Sequence, residues 1–128
     1  MSYEFRSCGR DCLAFMKDAF EKTVEAYRAM GITINVKLLG ERPCSDPNVD
    51  VTEITQFVKE VVEQYWGESP SVRAGSTDCN IPLSMGIPAC CTAVCLGFGM
   101  HTRGEWLDIQ SLEAGLKIAA TIVNKYAK

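Results

Sequence analysis

The sequence predicts an α/β fold made of two pieces, and three patterns carry that prediction. The chain opens with a strand, an amphipathic helix and an alternating strand, as in an α+β layer whose sheet has one solvated face. Later, a continuously apolar segment at 89–96 stands between two helices, as in a three-layer α/β domain. A loop rich in Gly, Pro, Asp and Asn at 40–50 separates the two, so we predict a domain boundary within this loop.

In the first piece, a helix is predicted from about Asp11 to Met30, because apolar residues recur there at helical spacings. Gly31 ends this helix, since glycine tolerates the left-handed backbone conformation that commonly follows one. Residues 2–6 and 32–38 are the predicted strands on either side. The apolar face of the helix is formed by Leu13, Met16, Phe20, Val24 and Tyr27.

In the second piece, two further helices and two strands are predicted. The first helix has Thr52 as its N-cap, and Asp108 caps the last helix. A brief strand is expected at 71–73, and the apolar run at 89–96 is expected to be a strand buried on both faces. The predicted core positions are Ile54, Phe57, Val58, Val61, Val62 and Tyr65 in the first helix, and Leu112, Leu116, Ala119, Ala120 and Val123 in the last.

Composition and charge exclude several classes of function. The 128 residues are 47% apolar and 23% charged, as in ordinary globular proteins. A formal net charge of −3 argues against nucleic acids and anionic membranes as partners, because both bind clustered Lys and Arg. No apolar run reaches the roughly 20 residues of a membrane helix, and the first residues lack the features of a signal peptide. We therefore expect a cytoplasmic protein with no nucleic-acid and no membrane partner.

Seven cysteines are many for this length, but they form no C-x-x-C pair. An odd count without a secretory signal is not typical of a disulfide framework, so we expect reduced thiols that mostly serve as small core residues. Catalysis by a thiol is an alternative, with Cys79 or Cys91 as the nucleophile and His101 as the base.

The only histidine, His101, follows a glycine-rich turn just past the apolar run. Ligand sites in open α/β sheets lie at the carboxyl ends of strands, and a neutral imidazole is the commonest metal-binding side chain. A single histidine is nevertheless more often structural, and a catalytic metal site needs about three protein ligands. The acids considered as further ligands are Asp78, Glu105 and Asp108.

Two further groups of polar residues are candidates for binding a substrate. Gly75 is followed by hydroxyl, carboxylate and amide side chains up to Asn80, which suits either an anion or peptide cradle or a capped helix N-terminus. Arg42 and Arg6 are candidates for binding a carboxylate, because a guanidinium matches it with two parallel hydrogen bonds. The alternative for both arginines is plain solvation at the surface.

Several of these segments, taken in order, resemble one known family. Gly75–Pro82, Gly86–Pro88 and His101–Asp108 resemble the C-terminal segment of a metallopeptidase family. That family includes carboxypeptidase G, tripeptidase T, aminoacylase, acetylornithine deacetylase and succinyl-diaminopimelate desuccinylase. Glu4–Ser7 and Gly40–Pro43 resemble a strand and its exit loop in the family's inserted lid domain. The resemblance covers most of the chain, and the combination of motifs is specific.

The resemblance implies a piece of a zinc-exopeptidase-like fold. Residues 1–44 would be the last strand, helix and strand of the lid or dimerisation domain, and 45–128 the C-terminal part of the catalytic α/β domain. His101 would bind one of two zinc ions, and Arg42 would receive the carboxylate of the substrate. Glu105 would lie beside the metal or the substrate. The substrate pocket would be lined by Ser76, Thr77, Asp78 and Asn80.

The sequence also departs from the family's pattern. It contains no His-x-Asp and no Glu-Glu pair, and it lacks the other metal-binding acids of the family. The Glu-Glu pair is also the source of the family's general base, which activates the metal-bound water. We therefore expect a fragment of an enzyme that hydrolyses di- or tripeptides or N-acyl amino acids, inactive by itself and binding zinc weakly.

The expected partners follow from the same incompleteness. An incomplete catalytic sheet would leave the apolar run with an exposed edge, and such edges pair with other chains. A homo-oligomer, with elements exchanged between copies, is therefore expected. A different class of function remains open, in which the chain is a stand-alone, non-catalytic α/β module for dimerisation or interaction.

Overall fold

A computed structural model of the chain describes residues 1–127, which form four α-helices and one two-stranded antiparallel sheet. This mixture of helix and sheet is compatible with the predicted α/β class. The chain divides into two compact units: unit 1 comprises Met1–Val49 and Ala74–Ile87, and unit 2 comprises Asp50–Arg73 and the residues from Pro88 onward. The elements are α1 (Arg10–Ala29), α2 (Thr52–Trp66), α3 (Asn80–Ser84), β1 (Gly97–Phe98), β2 (Trp106–Leu107) and α4 (Ser111–Tyr126).

Helix α1 of unit 1 confirms the first predicted helix to within one residue at each end. Gly31 ends it with a φ of +86°, and its N–H donates to the Arg28 carbonyl at 2.9 Å. The N–H of Ile32 donates to the Tyr27 carbonyl at 3.2 Å, which completes a Schellman motif. On the predicted apolar face, Val24 is buried, Leu13, Met16 and Phe20 are half-buried, and Tyr27 is exposed.

The segment Ala74–Ile87 packs with the beginning of the chain rather than with its neighbours in sequence. The N–H of Asp46 donates to the Leu83 carbonyl at 2.8 Å, just before α3 ends. The buried Cys44 thiol donates to the Ser7 carbonyl at 3.4 Å, which holds the same loop against the first residues. The predicted domain boundary after residue 44 stays a prediction.

Unit 2 has its core between α2 and α4. Four buried side chains, Val58, Val61, Val62 and Ile118, form the centre of this core. The Tyr65 hydroxyl lies 3.1 Å from the Thr121 hydroxyl and joins the two helices by a hydrogen bond. The core positions predicted for α2 are therefore confirmed. The half-buried residues around this centre are Ile54, Phe57, Tyr65, Trp66, Cys90 and Ile122.

The start of α2 differs from the prediction, because Thr52 is the first helical residue and Val51 occupies the N-cap position. The Asp50 carboxylate accepts the Thr52 N–H at 2.9 Å and so satisfies one of the free amide groups at the helix start. Hydrogen bonding from the Thr52 side chain, and then from its backbone, holds the pKa of Asp50 below its ordinary value.

The buried face of α4 also differs from the prediction. The helix buries Ser111, Gly115 and Ile118, whereas Leu116 is 71% exposed and Val123 is 63% exposed. A β-carbon on Gly115 would fall on the Val94 carbonyl, so a small residue lets the backbone of α4 approach this segment closely. The side of α4 that packs therefore combines two small residues, Ser111 and Gly115, with the large Ile118.

The strands predicted at 2–6, 32–38, 71–73 and 89–96 do not form. The run at 89–96 is also half-exposed instead of buried on both faces. A strand is stabilised by the hydrogen bonds of a neighbouring strand, and within residues 1–127 no other segment pairs with any of these four. An apolar or alternating pattern predicts a strand, but it does not show whether a neighbouring strand is present to pair with it.

The six cysteines at positions 8, 12, 44, 79, 91 and 95 form no disulfide, in line with the expectation that they are reduced. Their expected place in the core is wrong for most of them. Of the seven cysteines, only Cys44 is buried, while Cys8, Cys12 and Cys91 are exposed and the other three are half-buried.

In the part of the chain that the structure describes, no helix combines the length and the hydropathy needed to cross a membrane.

We expect Ile118→Ala to lower the free energy of unfolding by about 2–5 kcal/mol, because this side chain is 0% exposed at the centre of the α2–α4 core. Chemical denaturation followed by the fluorescence of Trp66 measures the change. The matched control is Leu116→Ala on the exposed side of the same helix, which should stay within about 0.5 kcal/mol of the parent. Equal losses in the two variants would contradict the assigned core.

Candidate functional site

His101 lies in the loop of a β-hairpin in unit 2. Strands β1 and β2 pair antiparallel, with Gly97 opposite Leu107 and Phe98 opposite Trp106. A β-carbon on Gly97 would lie 2.6 Å from the Trp106 carbonyl oxygen, so this pairing requires glycine. The side chain of His101 is exposed at the tip of the hairpin.

The loop holds His101 in a left-handed backbone conformation, with a φ of +66°. Histidine is among the residue types that adopt this conformation more often than most, at a small cost in free energy. The Glu105 carboxylate accepts the N–H of His101 at 3.1 Å, and the Thr102 hydroxyl donates to the Gly99 carbonyl at 2.6 Å. Glu105 thus fixes the backbone of His101, and its predicted place beside the metal or the substrate stays a prediction.

The hairpin is tied to α4 through Ser111, a residue that the sequence analysis missed. The Leu96 N–H donates to the Ser111 hydroxyl at 2.8 Å, and this hydroxyl donates to the Asp108 carbonyl at 2.6 Å. The Asp108 N–H in turn donates to the Leu96 carbonyl at 2.8 Å. Ser111 is only 8% exposed, so its hydroxyl is largely shielded from water. The sequence feature that could have identified Ser111 is its position three residues after the predicted cap, Asp108.

Asp108 does not cap α4 as predicted, because it binds within the turn before the helix. Its carboxylate accepts the Gln110 N–H at 2.9 Å, within the turn that leads into α4. Gln110 occupies the N-cap position, and no side chain caps the helix there. Asp108 therefore stabilises the turn before the helix instead of the helix itself.

A metal site needs more ligands than the hairpin offers. Among residues 1–127, no three or more His, Cys, Asp and Glu side chains lie close enough to hold a metal ion together. Since a catalytic metal takes about three protein ligands, His101 alone does not fit a complete site. The two zinc ions implied by the resemblance stay a prediction, and no chemical step is derived through them.

The second candidate site, in unit 1, is centred on Arg42. One terminal nitrogen, Nη1, donates to the Ser76 carbonyl at 3.0 Å and to the Ser76 hydroxyl at 3.4 Å. The other, Nη2, lies 3.4 Å from the carboxylate of Asp78. The side chain of Arg42 therefore joins its own loop to the polar segment that begins at Gly75.

Asn80, the first residue of α3, connects the same two loops. Its side-chain N–H group donates to the Pro43 carbonyl at 3.1 Å, and its side-chain oxygen accepts the Thr77 N–H at 2.8 Å. Five of the six predicted substrate-binding residues thus lie in two hydrogen-bonded groups that are adjacent along the chain, and together we call them the Arg42 cluster. Its members are Arg42, Ser76, Thr77, Asp78 and Asn80.

The Arg42 cluster retains donors for a further anion. The side chain of Arg42 is half-exposed and that of Asp78 is fully exposed, so their ion pair contributes little to stability. Within the described residues, the Nε–H of Arg42 has no partner, and a planar guanidinium offers five N–H groups in all. Arg6, the other candidate, instead pairs with Glu4 at 2.7 Å and lowers the pKa of that carboxyl.

The thiol alternative gains no support from contacts. Cys79 stands at the N-cap position of α3, and its N–H donates to the Thr77 hydroxyl at 3.3 Å. Cys91 is exposed, and no hydrogen bond in the described part of the chain joins it to His101. Thiol catalysis therefore stays an untested prediction.

Comparison with known proteins identifies a family. The model of peptidase family M20/M25/M40 matches residues 12–125, a range that contains both the Arg42 cluster and the His101 hairpin. No curated protein and no solved structure matches the chain. The family is one of generally metal-dependent peptidases, in line with the resemblance drawn from the sequence motifs. The chain belongs to peptidase family M20/M25/M40.

Proposed function

We propose that the chain is the part of a metal-dependent peptidase that binds the carboxylate of its substrate and supplies one metal ligand. The observation that carries the proposal is the family match over 12–125, which includes the Arg42 cluster and the His101 hairpin. The proposed substrates are di- or tripeptides, with N-acyl amino acids as the second choice. Both classes carry a free carboxylate next to an amide bond.

Arg42 is the proposed carboxylate receptor. Its guanidinium is oriented by the Ser76 carbonyl and by Asp78, at 3.0 and 3.4 Å, and still has unused N–H groups. A carboxylate that accepts two parallel N–H bonds gains both energy and a fixed orientation. Because Asp78 is fully exposed and only 3.4 Å away, a substrate carboxylate can replace it at small cost.

His101 is the proposed metal ligand. The hairpin fixes its backbone through Glu105, while its imidazole is exposed and makes no hydrogen bond to any residue in 1–127. A neutral imidazole with a free ring nitrogen is suited to binding a divalent ion such as zinc. The remaining ligands and the general base would be supplied by residues outside this sequence, and the 128-residue chain alone would be inactive.

The second candidate function is a non-catalytic module for dimerisation or interaction. It is favoured by the large apolar side chains that unit 2 leaves exposed, such as Leu116 and Phe98, at 71% and 73%. The two candidates differ in what the DNA upstream of the codon for Met1 encodes. The peptidase requires an in-frame extension encoding a His-x-Asp and a Glu-Glu pair, whereas the module requires none.

Reading the DNA upstream of Met1 is therefore the first test, and we expect such an extension. In the protein encoded by the whole reading frame, replacing His101 should lower kcat/KM for a dipeptide by at least about 100-fold. The estimate follows because even the partners of metal ligands contribute about 10–100-fold. His101→Asn and His101→Gly are the informative variants, since both residues tolerate the left-handed conformation of position 101.

The control is Lys117→Ala, an exposed change on α4 that removes only the ion pair with Glu113. It should leave kcat/KM unchanged. The proposal is wrong if the extension is absent, or if both His101 variants retain full activity with the same metal content.

We expect the purified chain to bind the carboxylate of an N-acetylated dipeptide through Arg42. In an NMR titration, the Nε–H signal of Arg42 should shift with the acid, and the C-terminal amide of the same peptide should bind at least about 10-fold more weakly. The ratio corresponds to the 1.5–3 kcal/mol of a hydrogen bond to a charged group.

Arg42→Lys should abolish the preference for the acid, because an ammonium lacks the planar fork. The matched control is Arg28→Lys in the same unit, where the arginine also donates to a backbone carbonyl, that of Ile34, at 2.7 Å. Equal binding of acid and amide by the parent chain would contradict the role of Arg42.

A further inference from the structure

Arg42 and Asp78 present opposite charges side by side on the surface of unit 1. The Nη2 atom of Arg42 lies 3.4 Å from the Oδ1 atom of Asp78, which is longer than a strong charge-assisted hydrogen bond of about 2.7–2.9 Å. The side chain of Asp78 is fully exposed and that of Arg42 is half-exposed. The two charges are therefore neighbours that pair only weakly, and both are accessible to a ligand from solvent.

The guanidinium of Arg42 does not depend on Asp78 for its position. Its Nη1 atom donates to the Ser76 carbonyl at 3.0 Å and to the Ser76 hydroxyl at 3.4 Å. Within residues 1–127, its Nε–H has no partner. Because the Nε–H and one N–H of Nη2 lie parallel in the planar guanidinium, they form a fork for a carboxylate while Ser76 holds the other nitrogen.

Asp78 is held by its backbone and not by its carboxylate. Its carbonyl accepts the Ile81 N–H at 3.2 Å, and the next N–H, that of Cys79, donates to the Thr77 hydroxyl at 3.3 Å. Among residues 1–127, only Arg42 is a partner of the carboxylate itself. The turn before α3 thus keeps Asp78 beside the guanidinium, while its carboxylate oxygens can accept from a further donor.

A ligand that meets both charges must carry an anion and a cation close together. In an α-amino acid, the ammonium nitrogen lies about 2.5 Å from the carboxylate carbon, because two bonds of about 1.5 Å meet at about 111°. When its carboxylate occupies the fork of Arg42, its ammonium group is next to the carboxylate of Asp78. Four charges then alternate in sign, so that each has neighbours of opposite charge.

From this arrangement we infer that Arg42 and Asp78 together bind a free α-amino acid as its zwitterion, with the carboxylate on Arg42 and the ammonium group on Asp78. The inference rests on the proposed function, in which Arg42 receives a carboxylate, and it gives Asp78 a role in binding as well. Ser76 is a positioning residue in this site, because it acts through the guanidinium and does not contact the ligand.

Hydrolysis of the proposed substrates produces such a ligand. Cleavage of a dipeptide or an N-acyl amino acid breaks the amide C–N bond. The oxygen of water is added to the acyl carbon and both of its protons to the nitrogen, so a carboxylate and an ammonium ion form. Asp78 faces a neutral N–H before cleavage and a positive charge afterwards, and so the site prefers the released amino acid to the substrate.

The exposure of the two side chains limits the size of this preference. Ion pairs at a protein surface change a binding constant by up to about fivefold, and added salt weakens them. We therefore expect a free amino acid to bind about 2–5-fold more tightly than its N-acetyl derivative at low ionic strength. The preference should disappear in about 1 M NaCl, where the screening length is about 3 Å.

The experiment compares three ligands by NMR titration of the purified chain, with the Nε–H signal of Arg42 as the probe. L-Alanine carries both charges, N-acetyl-L-alanine only the carboxylate and L-alaninamide only the ammonium group. The titrations are made at one ionic strength and at about pH 6, where the amino groups are protonated. L-Alanine should bind at least about 2-fold more tightly than either of the other two ligands.

Asp78→Asn should remove the preference for L-alanine over N-acetyl-L-alanine, because an amide of the same shape carries no charge. The matched control is Glu41→Gln, which removes the same charge from the exposed residue next to Arg42 and should keep the preference. If Glu41→Gln loses the preference to the same extent, the effect belongs to the net charge and the inference is overturned.

The titration of the parent chain separates this inference from the proposed function. Equal binding of L-alanine and N-acetyl-L-alanine overturns the inference and leaves Arg42 as a carboxylate receptor. Equal binding of L-alanine and L-alaninamide, with none of N-acetyl-L-alanine, overturns both. A chain that binds none of the three ligands contradicts the proposed role of Arg42, and with it the inference.

Discussion

The packing of α4 on α2 is the contact on which unit 2 depends. Ile118 is fully buried against the valines of α2, and Gly115, one turn earlier, lets α4 reach the backbone of Val94. Ser111, one turn earlier still, binds the hairpin. Because these three positions share one side of the helix, a single face holds α2, the segment before the hairpin and the hairpin itself.

The two candidate sites are supported in different ways. His101 is held by a series of contacts that starts in the core: α4 fixes Ser111, Ser111 fixes both ends of the hairpin, and Glu105 fixes the backbone of His101. Arg42 instead depends on hydrogen bonds between two exposed loops. A hairpin anchored in a core suits a metal ligand, which must be positioned accurately, whereas an exposed arginine can adapt to a substrate.

The sequence predicted the helices well, because periodicity is a local property that α1 and α2 carry in full. It failed for the face of α4, where Leu116 was predicted to be buried but Ser111, Gly115 and Ile118 are buried instead. It also failed for 89–96, since a strand depends on a partner that periodicity does not reveal. The contact of Arg42 with Ser76 was not predicted, because the residues are distant in the chain and spacing says nothing about such contacts.

The central claim is that this chain holds residues for binding a substrate and a metal but not a complete catalytic site. Its most direct test is hydrolysis of dipeptides and N-acyl amino acids by the purified 128-residue chain with zinc, manganese or cobalt. The account predicts no turnover above the buffer background, because no three ligands converge within residues 1–127. Metal-dependent turnover that disappears in His101→Asn and persists in Arg28→Lys would contradict it.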